Sequence, residues 1–258
     1  MSKKLSLKLN KDNFSDFISK ILDVSNVSDV IKIKIDKDNT LIYGAKMNNN
    51  IMLALKSYYF PTSEIIENFS EDEMYNLILF DAPKLIKGIK NLDINNTLKL
   101  DLNVKPKDGY MQVRSVQFTS GKLKIQAVGG EDKLIKDIPI EHLNKFLNLD
   151  NSKFKFDLQK QDLIDMKKLS AIYNDEKNTT VTLNIVNGKI TSGEYAKWEL
   201  EIGETDSDVN AKIVFNKKYL TNINKDLDII NFYMFETFLL VKDITSNLML
   251  SYETDFSD

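Results

Sequence analysis

The stretch Leu5–Phe17, LSLKLNKDNFSDF, has a counterpart at Phe154–Met166, FKFDLQKQDLIDM. Both stretches begin with apolar residues at every second position and continue with apolar residues at helical spacing. Alternation is typical of a half-buried strand, and the wider spacing is typical of an amphipathic helix. The repeat therefore predicts two strand–helix units in a chain that consists of two similar halves.

A second pair of matching segments follows in the same order, because Ile78–Lys87, ILFDAPKLIK, resembles Ile213–Asn222, IVFNKKYLTN. In each segment a polar residue, Asp81 or Asn216, separates the strand from the helix. Such residues cap helices, since their side-chain oxygens accept backbone N–H bonds. Pro83 suits the first helical turn, where its missing N–H costs nothing. Two pairs of similar segments that occur in the same order in both halves favour duplication of the sequence over chance similarity.

Turn signals divide the rest of each half into short strands. The clearest signal is the dipeptide Asn187-Gly188, which tolerates the positive φ of a type I′ hairpin turn. The predicted order is β-α-β-β-β, twice in each half. We therefore expect an α+β fold with two similar domains, residues 1–140 and 152–258, and a connector at residues 141–151.

The composition excludes several classes of site. The chain has no cysteine and a single histidine, His142, so thiolate and multi-histidine metal sites are excluded. No nucleotide-binding glycine motif is present. We expect no cofactor, no bound metal and no enzymatic activity, although an enzyme that uses paired carboxylates stays open as an alternative. Without a signal peptide or an apolar run of membrane length, we expect a cytoplasmic protein with no membrane partner.

The second half also resembles a known family. The segments Asp162–Leu169, Thr180–Ile190, Ala211–Phe215 and Ser251–Phe256 are similar to segments of the DNA sliding clamps, the family of proliferating cell nuclear antigen, and closest to the clamps of tailed bacteriophages. The resemblance implies the DNA-clamp fold, with helices lining the inside of a homotrimeric ring and sheets outside. It implies a processivity factor that encircles double-stranded DNA without sequence specificity. It also implies a DNA polymerase and a clamp loader ATPase as partners, in the host cytoplasm if the protein is viral.

The predicted helices offer lysines for such a role. The segments 84–92, 160–173 and 217–227 carry lysines opposite their apolar residues, with no acid among them. The first helix differs, because its outer face has Asp12 and Asp16 and only Lys20 as a phosphate contact. A lysine-rich face can also be a solvated surface, which remains the alternative. The candidate DNA-binding residues are Lys20, Lys84, Lys87, Lys90, Lys160, Lys167, Lys168, Lys217, Lys218 and Lys225.

A ring also needs strand edges that pair between subunits and a pocket for client peptides. Thr180–Val186 is β-branched and uncharged, which suits an exposed edge, and the resemblance implies Tyr110–Phe118 as its partner. Both could equally be interior strands. The candidate interface residues are Tyr110, Val113, Val116, Phe118, Val181, Leu183 and Ile185. The resemblance implies a client pocket, although core residues would look the same, at Ile138, Pro139, Ile140, Leu143, Leu250, Ser251 and Tyr252.

A protein of a different functional class could have the same sequence repeat. A bacteriophage structural or adaptor protein could be built from duplicated β-rich domains without encircling DNA. Such a protein has no need of basic outer faces on its helices, and the lysines therefore favour the clamp.

Overall fold

The computed structural model describes residues 3–48, 51–131, 148–173, 179–194, 197–205, 209–223, 227–243, 245–251 and 253–255. The chain divides into two compact units. The first contains Met1–Lys46 and Lys56–Pro139, and the second contains Met47–Leu55 and Ile140–Asp258. Among the described residues, no helix is both long and apolar enough to cross a membrane.

The first unit is a sheet with two helices against one face. Its strands follow the order β4-β3-β2-β6-β8-β7-β1-β5, with β9 also beside β8. The β6–β8 pairing is parallel at Tyr75 and Met111, whereas β8 is antiparallel to β7 and β9. The elements are β1 (Lys3–Leu9), α1 (Phe14–Ser25), β2 (Val30–Ile35), β3 (Asn39–Asn48), β4 (Ile51–Pro61), β5 (Ile66–Glu67), β6 (Tyr75–Phe80), α2 (Ala82–Ile89), β7 (Leu98–Lys107), β8 (Tyr110–Ser120) and β9 (Leu123–Val128).

The core of the first unit lies between this sheet and its helices. Strand residues at every second position, such as Leu98, Leu100 and Leu102, are buried, while their neighbours face the other side of the sheet. Burying this apolar surface is the main driving force for the arrangement. The helices contribute Phe14, Phe17, Ile18, Ile21 and Val24 from α1, and Ala82, Leu85, Ile86 and Ile89 from α2.

The second unit contains two sets of paired strands and one α-helix. One set has the order β10-β15-β16-β17, followed by β4, and the other has the order β13-β12-β11-β14-β18. The elements are β10 (Phe154–Gln159), α3 (Lys160–Ile172), β11 (Thr180–Val186), β12 (Lys189–Glu194), β13 (Trp198–Glu204), β14 (Ala211–Asn216), a 3-10 helix (Lys217–Asn222), β15 (Ile229–Met234), β16 (Phe238–Lys242), β17 (Ser246–Ser251) and β18 (Glu253–Asp255).

The predicted α+β class is confirmed, and the strand–helix repeats lie where the sequence places them. The hairpin at Asn187 and Gly188 has the predicted positive φ angles of 52° and 78°. Two local predictions differ. Asp81 precedes α2 in a left-handed conformation and makes no side-chain cap bond. The helix expected at 217–227 is a 3-10 helix, Lys217–Asn222, in which the side chain of Asn216 accepts a bond from the Lys218 N–H at 3.1 Å.

Candidate nucleic-acid interface

Helix α2 exposes three lysines on the side opposite its buried residues. Lys84, Lys87 and Lys90 are exposed, whereas Leu85 and Ile86 are packed into the core. No ion pair joins the three lysines to an acid within the described residues. The face of α2 that points away from the sheet is therefore a positively charged surface, as the periodicity predicts.

Helix α1 does not add to this positive surface. The Lys20 side chain is only 11% exposed and its ammonium group pairs with Asp16. The same ammonium group lies 5.0 Å from the centre of the Phe60 ring, a cation–π contact. The prediction of Lys20 as an exposed phosphate contact is therefore wrong, because the side chain bends onto the sheet. Asp12, in the turn before α1, and Asp16 on its outer side are exposed instead.

Helix α3 carries its lysines beside acids. The Lys168 ammonium group lies 3.4 Å from the Asp165 carboxylate. A hydrogen bond from Gln161 lowers the pKa of Asp165, whereas burial raises the pKa of Asp162. The prediction that no acid lies among these lysines is therefore wrong for α3, because Asp165 is within one turn of Lys168.

The remaining positions on α3 also differ in part from the prediction. Lys160 is half-buried, and the Lys167 ammonium group donates a 2.9 Å hydrogen bond to the Ile223 carbonyl oxygen. Lys167 thereby ties α3 to the residue that follows the 3-10 helix. The buried side of α3 consists of Leu163, Met166 and Ser170, while Tyr173, expected on the core side, is 39% exposed.

The 3-10 helix presents one lysine and buries another. Lys218 is exposed, with its ammonium group 4.8 Å from the centre of the Tyr219 ring. The Lys217 side chain is only 10% exposed, and its ammonium group lies 3.4 Å from the fully buried Glu194 carboxylate. The expectation that Lys217 lies on the outer face is wrong, because this ion pair holds it inside the unit. Lys225 lies outside the described residues.

The buried ion pair gives a stability prediction. Glu194→Ala should lower the free energy of unfolding by about 3–5 kcal/mol, because it leaves the charge of Lys217 buried without its carboxylate. The double variant Glu194→Leu/Lys217→Met should lose clearly less, since it removes both charges of this pair. Lys197, a quarter exposed and with its ammonium group 3.6 Å from the Glu194 carboxylate, then loses that ion pair. Urea unfolding of the two variants measures the difference. A double variant as unstable as the single one would contradict this account of the pair.

The exposed lysines suit phosphate groups better than bases. Lysine is a flexible point charge that contacts phosphates without reading sequence. Among the described residues, no group of three histidine, aspartate or glutamate side chains could hold a metal ion. Of the candidate DNA-binding lysines within the described residues, the exposed ones are Lys84, Lys87 and Lys90 in the first unit and Lys168 and Lys218 in the second. Lys160 and Lys167 are half-buried.

Comparison with known proteins identifies the fold. No protein-family model matches the sequence, and no curated protein matches it. The DNA polymerase III beta subunit of Pseudomonas aeruginosa superposes with a TM-score of 0.67 at 8% identity, over 99% of this chain and 66% of that chain. A second structure of that subunit, named a sliding clamp, gives a TM-score of 0.60 at 10% identity, over 99% of this chain and 66% of that one. The proliferating cell nuclear antigen of Entamoeba histolytica gives a TM-score of 0.62 at 16% identity, over 97% of this chain and 98% of that one.

The chain has the sliding-clamp fold. It spans about two thirds of the length of the bacterial beta subunits and nearly the whole length of the Entamoeba protein. The sequence identities are low, so the likeness concerns the fold, and the lysine faces carry the functional argument.

The two strands expected at the edges of this clamp fold are interior strands. Strand β11 pairs with β12 on one side and with β14 on the other. Strand β8 pairs with β7 along its length and with β9 and β6 on its other side. The prediction that they expose free edges is wrong, because each of the two strands pairs with strands of the same chain on both of its sides. Their apolar side chains accordingly lie in the core, at Val113, Val116, Phe118, Val181, Leu183 and Ile185, and only Tyr110 is half-buried.

The predicted client pocket is described only at its C-terminal side. Leu250 is fully buried and is therefore a core residue of the second unit. Ser251 is half-buried, and its hydroxyl group donates a hydrogen bond to the Met52 carbonyl oxygen. The other expected pocket residues, Ile138, Pro139, Ile140, Leu143 and Tyr252, lie outside the described residues.

Proposed function

We propose that this protein is a sliding clamp, a ring that encircles double-stranded DNA and holds a DNA polymerase on its template. The observation that carries the proposal is the combination of the sliding-clamp fold with exposed lysines on helices of both units. A clamp acts by topological linkage, so it needs no catalytic residue and no cofactor.

The charge distribution supports non-specific binding. The chain has a net charge of −3, so a uniformly basic surface is excluded. Three of its exposed positive charges, those of Lys84, Lys87 and Lys90, lie together on α2 and at its C-terminal end. Contacts of this kind are sequence-independent and weaken as salt concentration rises, which a ring that moves along DNA requires.

We further propose that the ring closes through β9 and β13, and not through the strands first expected. The repeat suggests this pairing. Strand β4, the fourth strand of the first half, lies beside β17, which ends the second half before the short β18. In the second half, the strand that corresponds to β4 is β13, which is again the fourth strand. In the first half, the strand that corresponds to β17 is β9, which is the last strand. Among the described residues, β9 pairs only with β8 and β13 only with β12.

The charges of these two edge strands are complementary. Lys122 and Lys124 are exposed beside and within β9, while Glu199 and Glu201 are exposed on β13. Pairing β9 of one copy with β13 of the next joins two different surfaces. Such an interface gives a closed ring when its rotation fits, and three copies of a two-domain chain give six domains.

Further partners follow from a closed ring. DNA can enter only if the ring opens, and we therefore propose a clamp loader ATPase as a partner beside the polymerase. The sequence resemblance to phage clamps favours a bacteriophage source and action in the host cytoplasm.

Retention on circular DNA tests the proposal. We expect light scattering to give a homotrimer of about 89 kDa, three times the chain mass of 29.7 kDa. Rings assembled on nicked circular DNA with a loader should stay bound in a salt wash and leave once the DNA is linearised. A protein that leaves circular and linear DNA at equal rates would contradict encirclement.

A further inference from the structure

Strand β18 lies at the edge of the five-stranded set of the second unit and pairs on one side only. It is antiparallel to β14, with Thr254 opposite Ile213. It is the outermost strand in the order β13-β12-β11-β14-β18, and the described part of the chain holds no second strand beside it. On its other side β14 pairs with β11, from Ala211 to Asn216. One side of β14 is thus closed by a ladder along the whole strand and the other by three residues.

The first unit closes the corresponding edge in a different way. Ile78 on β6 corresponds to Ile213 on β14 in the sequence repeat, and its carbonyl oxygen accepts a 2.9 Å hydrogen bond from the Gly130 N–H. In both halves, the chain that follows the last long strand therefore returns to this edge. A Cβ atom at Gly130 would overlap the Phe80 ring, so only glycine fits there. The edge of β6 is accordingly closed by a contact that another strand could not replace.

The closure of the β14 edge by β18 is easier to exchange. A short ladder at the margin of a sheet opens at a low cost in free energy, because few hydrogen bonds break and little apolar surface becomes exposed. Opening leaves a row of backbone N–H and C=O groups on β14 without partners, and such a row pairs readily with another extended chain. Since main-chain hydrogen bonds do not depend on side chains, a strand from another protein can take the place of β18.

The side chains of β14 favour one kind of strand. The buried residues of β14 face the core, whereas Lys212 is exposed and Val214 is half-buried on the other face. Residues that are directly opposite each other in an antiparallel pair lie on the same face, and opposite charges at such positions attract. The residue of β18 in register with Lys212 is Asp255. The edge therefore suits an extended segment with an acidic residue opposite Lys212.

We propose that β14 is a docking edge for a partner protein and that β18 occupies this edge as an internal competitor. An extended acidic segment of the partner pairs with β14 in antiparallel register and displaces β18. The main-chain hydrogen bonds supply the affinity, and Lys212 selects an acid at the facing position. The inference goes beyond encirclement of DNA and does not depend on it, because β14 and β18 belong to the same unit of one chain.

The probe is a labelled peptide with the sequence of residues 251–258, SYETDFSD, because it carries the sequence of β18 itself. Fluorescence anisotropy measures its binding to the full chain. In the variant Glu253→Pro/Thr254→Pro, β18 loses its ladder, because successive N–H groups of a strand point to opposite sides and one of the two lost donors faces β14. We expect this variant to bind the peptide at least about tenfold more tightly than the wild type, where the competitor closes most of the edges.

The matched control is Glu253→Ala/Thr254→Ala, which changes the same two side chains and keeps both N–H groups. It should bind the peptide as the wild type does. Added to the proline variant, Lys212→Glu should weaken binding by roughly 3- to 10-fold, because it places like charges opposite each other. The same change at the exposed Lys4 of β1 should have no effect. Amide NMR should place the shift changes on residues 211–216.

Several outcomes would overturn the proposal. Equal affinity of the wild type and the proline variant would mean that β18 is not a competitor. Tighter binding by the wild type would mean that the peptide adds to the outer side of β18. Millimolar peptide should also shift the amide signals of residues 211–216 in the wild type, and their absence would contradict docking at β14 even if the proline variant did not fold. Because no DNA is present, none of these results bears on retention on circular DNA.

Discussion

Changing Lys84, Lys87, Lys90 and Lys218 to glutamate is expected to abolish retention on circular DNA while the chain still folds and assembles. All four side chains are exposed and none takes part in an ion pair within the described residues, so the fold should tolerate the change. Each phosphate contact of a lysine contributes about one unit to the dependence of log affinity on log salt. Losing four contacts and adding four acids should lower affinity for duplex DNA at least about a hundredfold at physiological salt.

A matched variant separates position from net charge. Lys4, Lys99, Lys105 and Lys212 are exposed on strands, and changing these four to glutamate alters the net charge of the chain by the same amount. Electrophoretic mobility shift at several salt concentrations measures both variants. We expect the strand variant to keep most of its affinity. An equal loss in both variants would mean that overall charge, and not the helix faces, governs binding.

The exposed face of α2 could be predicted from the sequence because it depends on local periodicity alone. Leu85, Ile86 and Ile89 recur at helical spacing, and this fixes where Lys84 and Lys87 point. The sequence signals for duplication and for the hairpin at Asn187 and Gly188 are equally local. Features of this kind need no knowledge of which segments meet in space.

The predictions that were wrong concern residues whose environment is set by segments distant in sequence. Lys217 is buried because Glu194 from β12 meets it, and Lys20 bends onto Phe60 from β4. The sequence of the helix that carries the lysine gives no indication of either partner.

Edge strands are hard to predict for a related reason. A strand such as Thr180–Val186 has the same alternating pattern whether one or both of its ladders are filled. Only the pairing of β11 with both β12 and β14 decides that it is interior. Charge would have been a better guide, since exposed edges in natural sheets carry charged side chains, as β9 and β13 do at Lys124 and Glu199.

Reversing the charges of the β9 edge should break the proposed ring into monomers. In β9, Ile125 and Ala127 pack against the core, which leaves Lys124 on the other face of the sheet. Lys122→Glu with Lys124→Glu would place acids opposite Glu199 and Glu201 of the next copy. Like charges across an interface cost several kcal/mol, and the proposed trimeric ring has three such interfaces. We expect the trimer to weaken at least about a hundredfold at low salt, as measured by light scattering over a concentration series.

Charge exchange within one chain shows whether β13 is the partner of β9. Adding Glu199→Lys and Glu201→Lys to the β9 variant restores opposite charges at every interface, because each copy contributes both strands. The four-residue variant should form the trimer again. The variant with only the two β9 changes and the variant with only the two β13 changes should not form it. Glu201 also lies 3.8 Å from Lys189, but both side chains are exposed, and the loss of that contact should have little effect on stability. A trimer that persists in the β9 variant, or a four-residue variant that stays monomeric, would exclude pairing of these two edges and would require ring closure through other strands.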